Sequence, residues 1–281
     1  MKPQKSHFFN SAWTQFGEDL LCGSLSHIST SWRVISLTSC HTTREYESNV
    51  MIATFSQFYE WIKVPLVVMR NEAHPFHQLP KFEERKVAVY ADYKHIHDIF
   101  QDILLVTGTE VDEGEDIKES GHHIVCRPQL VVNGTKLCFD DPQDGGLKLL
   151  LDWREIDEDA LDAEHGTLWI GSYGAHTPLH YDSYGRNIIL QIYGEKLWSL
   201  WSPSEENLTM LSPSRIPYEE SSIYADRNRF DPRNKSHLES HPPDHSERLI
   251  THEILHLPKH WWHYVTTVSK KLMPQSLSLL L

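Results

Sequence analysis

Short apolar segments alternate with polar turns in the second half of the chain. Apolar and β-branched residues dominate 187–193 (NIILQIY), 197–201 (LWSLW), 254–257 (ILHL) and 264–268 (YVTTV). Runs of this length, bounded by turn residues, predict β-strands. The Gly-Glu step at 194–195 predicts a tight turn that leads the first strand back into the second. Short strands at these spacings are typical of an all-β barrel or a jelly roll.

The first hundred residues have a mixed pattern. The segment 55–64 (FSQFYEWIKV) predicts an amphipathic α-helix, and 93–100 predicts a second short helix. The large apolar residues that recur at helical spacing in the first of these are Phe55, Phe58, Trp61 and Ile62. The sequence therefore predicts a mainly β, α+β chain with an N-terminal helical or mixed part at 1–103.

Residues 104–148 change in character. Six acidic side chains fall between 110 and 119, and 140–146 (DDPQDGG) has the composition of a turn, so an exposed acidic insert is expected. The predicted β core then occupies 149–281. Within it, 207–247 is a polar connection rich in Pro, Ser and His, for which we expect a solvated loop.

Composition and charge narrow the class of protein. The chain has 281 residues, 40% of them hydrophobic and 23% charged, which suits a packed core and not a disordered chain. Its net charge of −13 disfavours a sequence-independent grip on nucleic acid. A local basic group is interpreted as a solvated loop; its members are Arg227, Arg229, Arg233 and Lys235.

The cysteines and the N-terminal segment indicate the cellular compartment. The four cysteines form no CxxC pair, so free thiols in a reducing compartment are expected. Residues 1–10 lack the apolar stretch of a signal peptide, and no apolar run reaches the length of a membrane span. These features predict a cytoplasmic protein, with the nucleus as a second compartment.

Histidine followed two residues later by an acid is a candidate metal-binding pattern. With 19 histidines and 39 acidic residues, chance alone gives roughly 2.6 such triplets, and the sequence has three, at 180–182, 237–239 and 245–247. The first lies between β-rich segments, where residues two apart point to the same side of a strand. His180 and Asp182 can then present a nitrogen and a carboxylate to one cavity.

A second histidine from another strand would complete a facial triad of two histidines and one carboxylate, which suits non-haem Fe(II). The segment 258–265 (PKHWWHYV) offers His260 and His263, and spacing does not choose between them. The alternative for both is aromatic core packing, with imidazoles bonded to backbone.

A literal HExxH zinc motif precedes that segment, at 252–256. Its histidines share a face only on a helix, and Pro258 would break that helix. The acidic ligand that many zincins have downstream is missing, because no Asp or Glu follows Glu253. A strand is the more natural structure for 254–257, and a zinc protease is disfavoured.

The run 167–196 (TLWIGSYGAHTPLHYDSYGRNIILQIYGEK) strongly resembles the metal-binding core of Jumonji-C (JmjC) oxygenases. The segments 216–222 (IPYEESS), 258–265 and 90–94 (YADYK) are similar to the same family, in particular to members that associate with small heat-shock proteins. Together they cover roughly half the chain. The resemblance implies a double-stranded β-helix, the cupin-like jelly roll, as the core.

The resemblance also implies the site residues. It assigns His180, Asp182 and His263 as Fe(II) ligands and prefers His263 to His260, because the family's ligand follows the paired tryptophans. It implies that 2-oxoglutarate chelates the iron and anchors its far carboxylate on Lys196, which without a carboxylate would be an ordinary hairpin-turn lysine. The positions implied to hydrogen-bond this cosubstrate are Thr177, Asn187 and Tyr90.

Two departures from the family pattern concern the core strands. His252 and Glu253 stand where the family usually has a Gly-Asp turn. The segment 276–281 ends the chain where the family has a longer final strand, so we expect a short last strand and a less closed cosubstrate pocket.

The function expected from the resemblance is an oxygenase that uses Fe(II), 2-oxoglutarate and O2 to hydroxylate a protein side chain, in preference to histone demethylation. One alternative is a non-catalytic JmjC-fold protein that acts as an adaptor of a small heat-shock protein. Another is a hydroxylase of a modified tRNA base, which the negative charge disfavours without excluding. No membrane partner is expected.

Overall fold

The computed structural model describes residues 2–7, 29–37, 49–63, 87–95, 129–132, 135–138, 167–216, 221–268 and 275–280. The N-terminal elements are β1 (Gln4–His7), β2 (Ser29–Ser36), β3 (Asn49–Thr54), α1 (Phe55–Lys63) and β4 (Val87–His95). A two-stranded hairpin follows inside the predicted insert, made of β5 (Gln129–Val132) and β6 (Thr135–Cys138). Its pairing gives this part of 104–148 a local β structure.

The core is a series of ten strands and two short helices. In chain order they are β7 (Thr167–Ser172), β8 (His176–Asp182), β9 (Asn187–Tyr193), β10 (Glu195–Trp201), α2 (Glu205–Leu211), β11 (Pro213–Ser214), β12 (Ser222–Ala225), α3 (Lys235–Ser240), β13 (His245–Ile250), β14 (Glu253–Leu257), β15 (Trp262–Thr267) and β16 (Gln275–Leu280). No helix in the described ranges is long and apolar enough to cross a membrane.

Two antiparallel sheets form the core. The larger has the order β1-β14-β9-β16-β7-β4-β2-β3 and the smaller β11-β12-β8-β15-β10-β13. From β7 to β10 the chain alternates between the large and the small sheet, and it does so again from β13 to β16. This path is that of a double-stranded β-helix, so the predicted jelly roll is confirmed.

The remaining strands extend both sheets. β4, β2 and β3 continue the large sheet beyond β7, and β1 covers the edge at β14, whereas β12 and β11 continue the small sheet beyond β8. β16 has six residues, as many as β7, pairs with β7 throughout and pairs with β9 on its other side. It therefore fills the centre of the large sheet over the full length of its neighbour.

The predicted helix at 55–64 is confirmed as α1, and a capping box starts it. The backbone N–H of Gln57 donates to Thr54 Oγ1 (3.0 Å), and that of Thr54 donates to Gln57 Oε1 (2.9 Å). The apolar face of α1 is buried, and Phe58 stacks on Trp32 of β2 with ring centroids 4.1 Å apart. This contact fixes the helix against the extension of the large sheet.

Two local predictions are wrong. A helix was expected at 93–100, but the described part of that segment belongs to a strand. β4 runs through His95 and pairs with β2 and with β7; residues 96–100 lie outside the described ranges. The turn at Gly194 (φ 74°) exists, but it does not make a hairpin, since β9 and β10 belong to different sheets. In both cases pairing with strands that are distant in the sequence overrides the local pattern.

The polar connection at 207–247 is more ordered than its composition suggests. It holds α2, β11, β12, α3 and the first residues of β13. Phe230 is buried at its centre, where its ring lies 5.6 Å from that of Trp201 and 5.9 Å from that of His237. Phe230 thus helps to anchor the segment on the outer face of the small sheet, and the expectation of a solvated loop is wrong here.

The HExxH segment is a turn followed by a strand. His252 has a left-handed backbone (φ 70°), and β14 begins at Glu253. The Glu253 carboxylate is buried, where it pairs with Lys5 of β1 (3.1 Å) and accepts from the backbone N–H of Ile250 (2.9 Å). Its role is to join β1 to the jelly roll, and the motif does not form a zinc helix.

The left-handed residue at 252 leads to a stability prediction. Histidine tolerates a positive φ and glycine adopts it freely, whereas β-branched side chains clash there. His252→Val should lower the free energy of unfolding by about 1–2 kcal/mol, and His252→Gly should not lower it. Urea denaturation of both variants checks this. Equal losses of stability in the two variants would show that the side-chain contacts of His252 determine the effect and that its backbone conformation does not.

Candidate metal centre

Two adjacent strands bring together the three residues expected to bind metal. His180 and Asp182 lie on β8, and His263 lies opposite His180 on β15. All three are buried, and one ligand atom from each falls within 4.8 Å of the others. His180 Nε2 is 3.6 Å from Asp182 Oδ1, and His263 Nε2 is 3.8 Å from Asp182 Oδ2. Two atoms bound to one ion at about 2.1 Å can lie up to about 4.2 Å apart, so both separations fit a shared ion.

Backbone contacts define which nitrogen of each histidine is available. His180 Nδ1 lies 2.7 Å from the carbonyl oxygen of Pro178, and His263 Nδ1 lies 3.1 Å from that of Trp261. A carbonyl oxygen can only accept a hydrogen bond, so each Nδ1 carries the proton. The lone pair of each neutral ring is then on Nε2, beside Asp182, which is the tautomer that a metal requires.

The environment also keeps His263 neutral. Burial and, after it, the neighbouring His180 lower the pKa of His263 from 6.5 to about 4, although Asp182 and the carbonyl of Trp261 act in the opposite direction. At neutral pH His263 therefore needs to lose no proton before it can bind a metal.

Two polar side chains hold the Asp182 carboxylate. Asn187 Nδ2 donates to Oδ2, and Ser222 Oγ on β12 lies 3.5 Å from Oδ1. Ser222 was missed in the sequence, although it stands directly opposite Asp182 in the β12–β8 register. Asn187 Oδ1 is buried without a hydrogen bond from any described residue. Its free lone pairs suit a donor such as a ligand or a water on the metal side.

One cavity adjoins the triad. All seven residues singled out from the sequence line it, namely Tyr90, Thr177, His180, Asp182, Asn187, Lys196 and His263. The sequence did not reveal three further aromatic lining residues, Trp169, Tyr184 and Trp198. Tyr184 is 46% exposed, which places it at the mouth of the cavity.

Lys196 brings a positive charge into this cavity. It lies on β10, paired with Thr267 of β15, and is only 2% exposed. Its Nζ donates to the carbonyl oxygen of Trp169 (3.4 Å) and lies 5.4 Å from the centre of the Tyr90 ring. Lys196 is therefore not an ordinary lysine of a hairpin turn. Burying an ammonium group is costly in free energy, and its burial here suits a site for an anion.

The close approach of Tyr90 depends on a glycine. Gly171 of β7 stands opposite Tyr90 of β4 in the register. A Cβ added at Gly171 would lie 2.8 Å from Ala175 Cβ and 2.9 Å from Tyr90 Cδ2, which is too close for real side chains. The missing side chain lets the Tyr90 ring lie over β7 and reach the Lys196 side of the cavity.

A β-bulge places Thr177 in the same cavity. His263 pairs with His180 and Val265 pairs with Thr177, so three steps along β8 match two steps along β15. The extra residue reverses the alternation of side chains. Thr177 therefore faces inward together with His180, and His176 faces the opposite side of the sheet.

The other candidate histidines lie elsewhere. His260 is exposed, has a positive φ (65°) and contacts Tyr181 with ring centroids 5.5 Å apart, away from the triad. His237 accepts from the backbone N–H of Asp231 (3.0 Å) inside the ordered connection, and His245 lies at the start of β13. The structure thus brings His263 to the site and leaves His260 outside it.

Burial of His176 has a consequence for stability. Burial is the largest cause that lowers its pKa from 6.5 to about 4. Between these values the unfolded chain binds a proton that the folded chain does not, so stability falls as the pH drops from about 6.5 towards 4. At pH 5 this proton uptake lowers the free energy of unfolding by roughly 2 kcal/mol. His176→Asn should lose less stability between pH 7 and pH 5 in urea titrations, whereas His260→Asn should behave like the wild type.

A jelly roll is the fold of the cupin-type class of protein, and the two histidines and one carboxylate at its centre are compatible with metal binding. The model of the cupin-like domain family matches residues 70–278. That match covers most of the chain, which therefore belongs to the cupin-like, JmjC-type family.

Curated relatives carry related names. HSPB1-associated protein 1 of Homo sapiens is 29% identical over 237 residues, which cover 83% of this chain and 38% of that protein. Its counterpart in Mus musculus is 41% identical over 117 residues (41% and 24%). JmjC domain-containing protein D of Dictyostelium discoideum is 33% identical over 108 residues (36% and 22%). The chain spans less than half the length of these relatives.

Proposed function

We propose that this chain is an Fe(II)- and 2-oxoglutarate-dependent oxygenase that hydroxylates a protein side chain. The observation that carries the proposal is one cavity that joins a triad of two imidazole nitrogens and a carboxylate to a buried lysine ammonium. A structural metal needs no such ammonium beside it, whereas a chelating dicarboxylate requires a cation at its far end.

The donor set fits Fe(II). Three protein ligands on one side of an ion leave further positions for a cosubstrate and for O2. When bound, Fe(II) would supply the activation of O2, coupled to the oxidative decarboxylation of 2-oxoglutarate to succinate and CO2. His180, Asp182 and His263 would hold the ion, and Asn187 and Ser222 would fix the carboxylate ligand.

The remaining residues of the cavity would hold the cosubstrate. The Lys196 ammonium would pair with its far carboxylate, and the hydroxyl groups of Thr177 and Tyr90 would donate hydrogen bonds. Ile189 and Val265 add apolar walls to the same cavity. Such walls exclude water, which strengthens the pairing of lysine with a carboxylate.

The test is an anaerobic binding assay on the purified chain. Fe(II) and then 2-oxoglutarate are added while the metal-to-ligand absorption band and calorimetric heat are recorded, and succinate is measured after air is admitted. The proposal expects binding of both and succinate release. Metal binding without 2-oxoglutarate binding would reject the oxygenase and leave a metalloprotein, and no metal binding would reject the iron site as well.

A second candidate function rests on the names of the relatives. We propose a small heat-shock protein as the partner of this chain, because 83% of the chain aligns with a protein named for its association with HSPB1. Calorimetry or size-exclusion chromatography with purified HSPB1 tests this. Binding that persists in a variant unable to hold metal would favour an adaptor, whereas hydroxylation of that partner would make it a substrate. No binding would exclude this partner.

A further inference from the structure

Tyr90 reaches the cavity at the triad from a row of three residues on adjacent strands of the large sheet. Arg33 of β2 stands opposite Tyr90 of β4, and Tyr90 in turn stands opposite Gly171 of β7. Residues directly opposite on neighbouring strands point to the same face of a sheet. The Tyr90 ring lies over Gly171, because the glycine leaves room for it there. Arg33 therefore stands on the other side of Tyr90.

The Arg33 guanidinium contacts the Tyr90 ring inside the protein. Its Cζ lies 5.5 Å from the ring centroid, which is within the range of a cation–π interaction. Arg33 is only 5% exposed, and an arginine stays protonated in proteins. Burying this charge is costly unless it meets a compensating group, and the π face of Tyr90 is one such group. The contact therefore stabilises the ring in its present position.

The same ring lies near a cation from the other sheet. Lys196 Nζ on β10 is 5.4 Å from the Tyr90 centroid, and it is the group proposed to pair with the far carboxylate of 2-oxoglutarate. Tyr90 and Lys196 both line the cavity, whereas Arg33 does not. Arg33 can thus affect a ligand in the cavity only through a neighbouring side chain or through its charge at a distance.

We propose that Arg33 is a positioning residue for the cosubstrate, which acts by holding the Tyr90 ring over Gly171. In that position the Tyr90 hydroxyl can donate at the lysine end of the cavity. The inference rests on the proposed oxygenase function, since 2-oxoglutarate is the ligand that Tyr90 would hold. Without the guanidinium, the β2 side of the ring is no longer filled, and the ring can move away from Lys196.

The first measurement follows the ring in the metal-free chain, labelled with fluorotyrosine. The fluorine resonance of Tyr90 is assigned as the one that Tyr90→Phe removes. Arg33→Met should split or broaden this resonance, because the ring then takes more than one position. Arg229→Met, which removes the same charge from an exposed position, should leave it single and sharp. A single sharp Tyr90 resonance in Arg33→Met would overturn the proposal.

The second measurement is calorimetric titration of 2-oxoglutarate into the Fe(II)-loaded chain. Arg33→Met should weaken binding of 2-oxoglutarate about fivefold, the equivalent of one cation–π contact, and should leave Fe(II) affinity unchanged. Arg33→Lys should restore most of the affinity, since an ammonium can also lie over the ring. In a Tyr90→Phe background, Arg33→Met should cause no further loss, because no hydroxyl remains to be positioned.

Equal losses with and without the Tyr90 hydroxyl would overturn the proposal, because Arg33 would then act by its charge alone. An unchanged affinity for 2-oxoglutarate in Arg33→Met would overturn it as well, and so would a parallel loss of Fe(II) binding, which would assign Arg33 to the fold. Should Arg33→Met not fold, Arg33→Gln takes its place with the same expectations.

Failure of this inference is distinguishable from failure of the proposed function. If the wild type bound 2-oxoglutarate and Arg33→Met bound it equally well, only the role of Arg33 would be rejected. If the wild type bound no 2-oxoglutarate, the oxygenase would be rejected and this role with it. The fluorine spectra would then still show whether Arg33 holds the Tyr90 ring.

Discussion

His263→Gln should abolish tight Fe(II) binding, and His260→Gln should leave it unchanged. The two histidines are three residues apart in one segment, but only His263 turns its Nε2 towards the Asp182 carboxylate, at 3.8 Å. Loss of residues that merely support a ligand typically costs 10–100-fold in metal affinity, so loss of a ligand itself should cost more than about 100-fold.

The measurement is anaerobic titration with Fe(II), or with Co(II) as a spectroscopic probe, of both variants and the wild type. Circular dichroism and thermal unfolding of the metal-free proteins check that the buried substitution leaves the jelly roll folded. If His260→Gln lost the metal while His263→Gln kept it, the assignment of the third ligand would be wrong. Equal affinity in all three proteins would mean that the metal binds elsewhere.

Local periodicity in the sequence was sufficient to predict part of the site. The apolar run at 187–193 became β9 with the same limits, and the two-residue repeat of a strand correctly put His180 and Asp182 on one face. Both depend on neighbours along the chain, which a sequence shows directly. The choice of His263 over His260 needed the family resemblance, because the positive φ at His260 is a property of the folded turn.

Pairing between distant segments was not predictable from local pattern. β9 and β10 follow one another through a glycine turn but join different sheets, because their partners β16 and β15 come from the end of the chain. Thr177 illustrates the same point, since alternation along β8 alone puts it on the face opposite His180. Only the bulge against β15 turns it inward, and no residue type marks that bulge except the proline beside it, Pro178.

The polar composition of the segment between α2 and β13 did not indicate that this segment is ordered. A few buried side chains, among them Ile223 and Phe230, provide its apolar anchors, and turn hydrogen bonds satisfy the backbone around Phe230, for example from the N–H of Phe230 to the carbonyl of Asp226 (2.9 Å). A pattern averaged over forty residues gives little weight to so few apolar side chains.

Lys196→Met should weaken 2-oxoglutarate binding strongly while Fe(II) binding persists. Methionine fills the same buried space without the charge, so the variant should keep or increase the stability of the ligand-free fold. A buried hydrogen bond to a charged group is worth about 1.5–3 kcal/mol, and loss of the cation that opposes a carboxylate in an apolar cavity reaches the upper end of that range. The affinity for 2-oxoglutarate should fall about 100-fold.

Calorimetric titration of 2-oxoglutarate into the Fe(II)-loaded protein measures this, with Lys235→Met as the matched control, since the Lys235 side chain is 91% exposed. Succinate release should fall in parallel with binding. Were Lys196→Met to bind 2-oxoglutarate like the wild type, the cosubstrate would be anchored by another group, although the metal site would stand. A parallel loss of Fe(II) would show that Lys196 supports the fold around the triad, because the ligands lie on β8 and β15, and β10 pairs with β15 alongside His263.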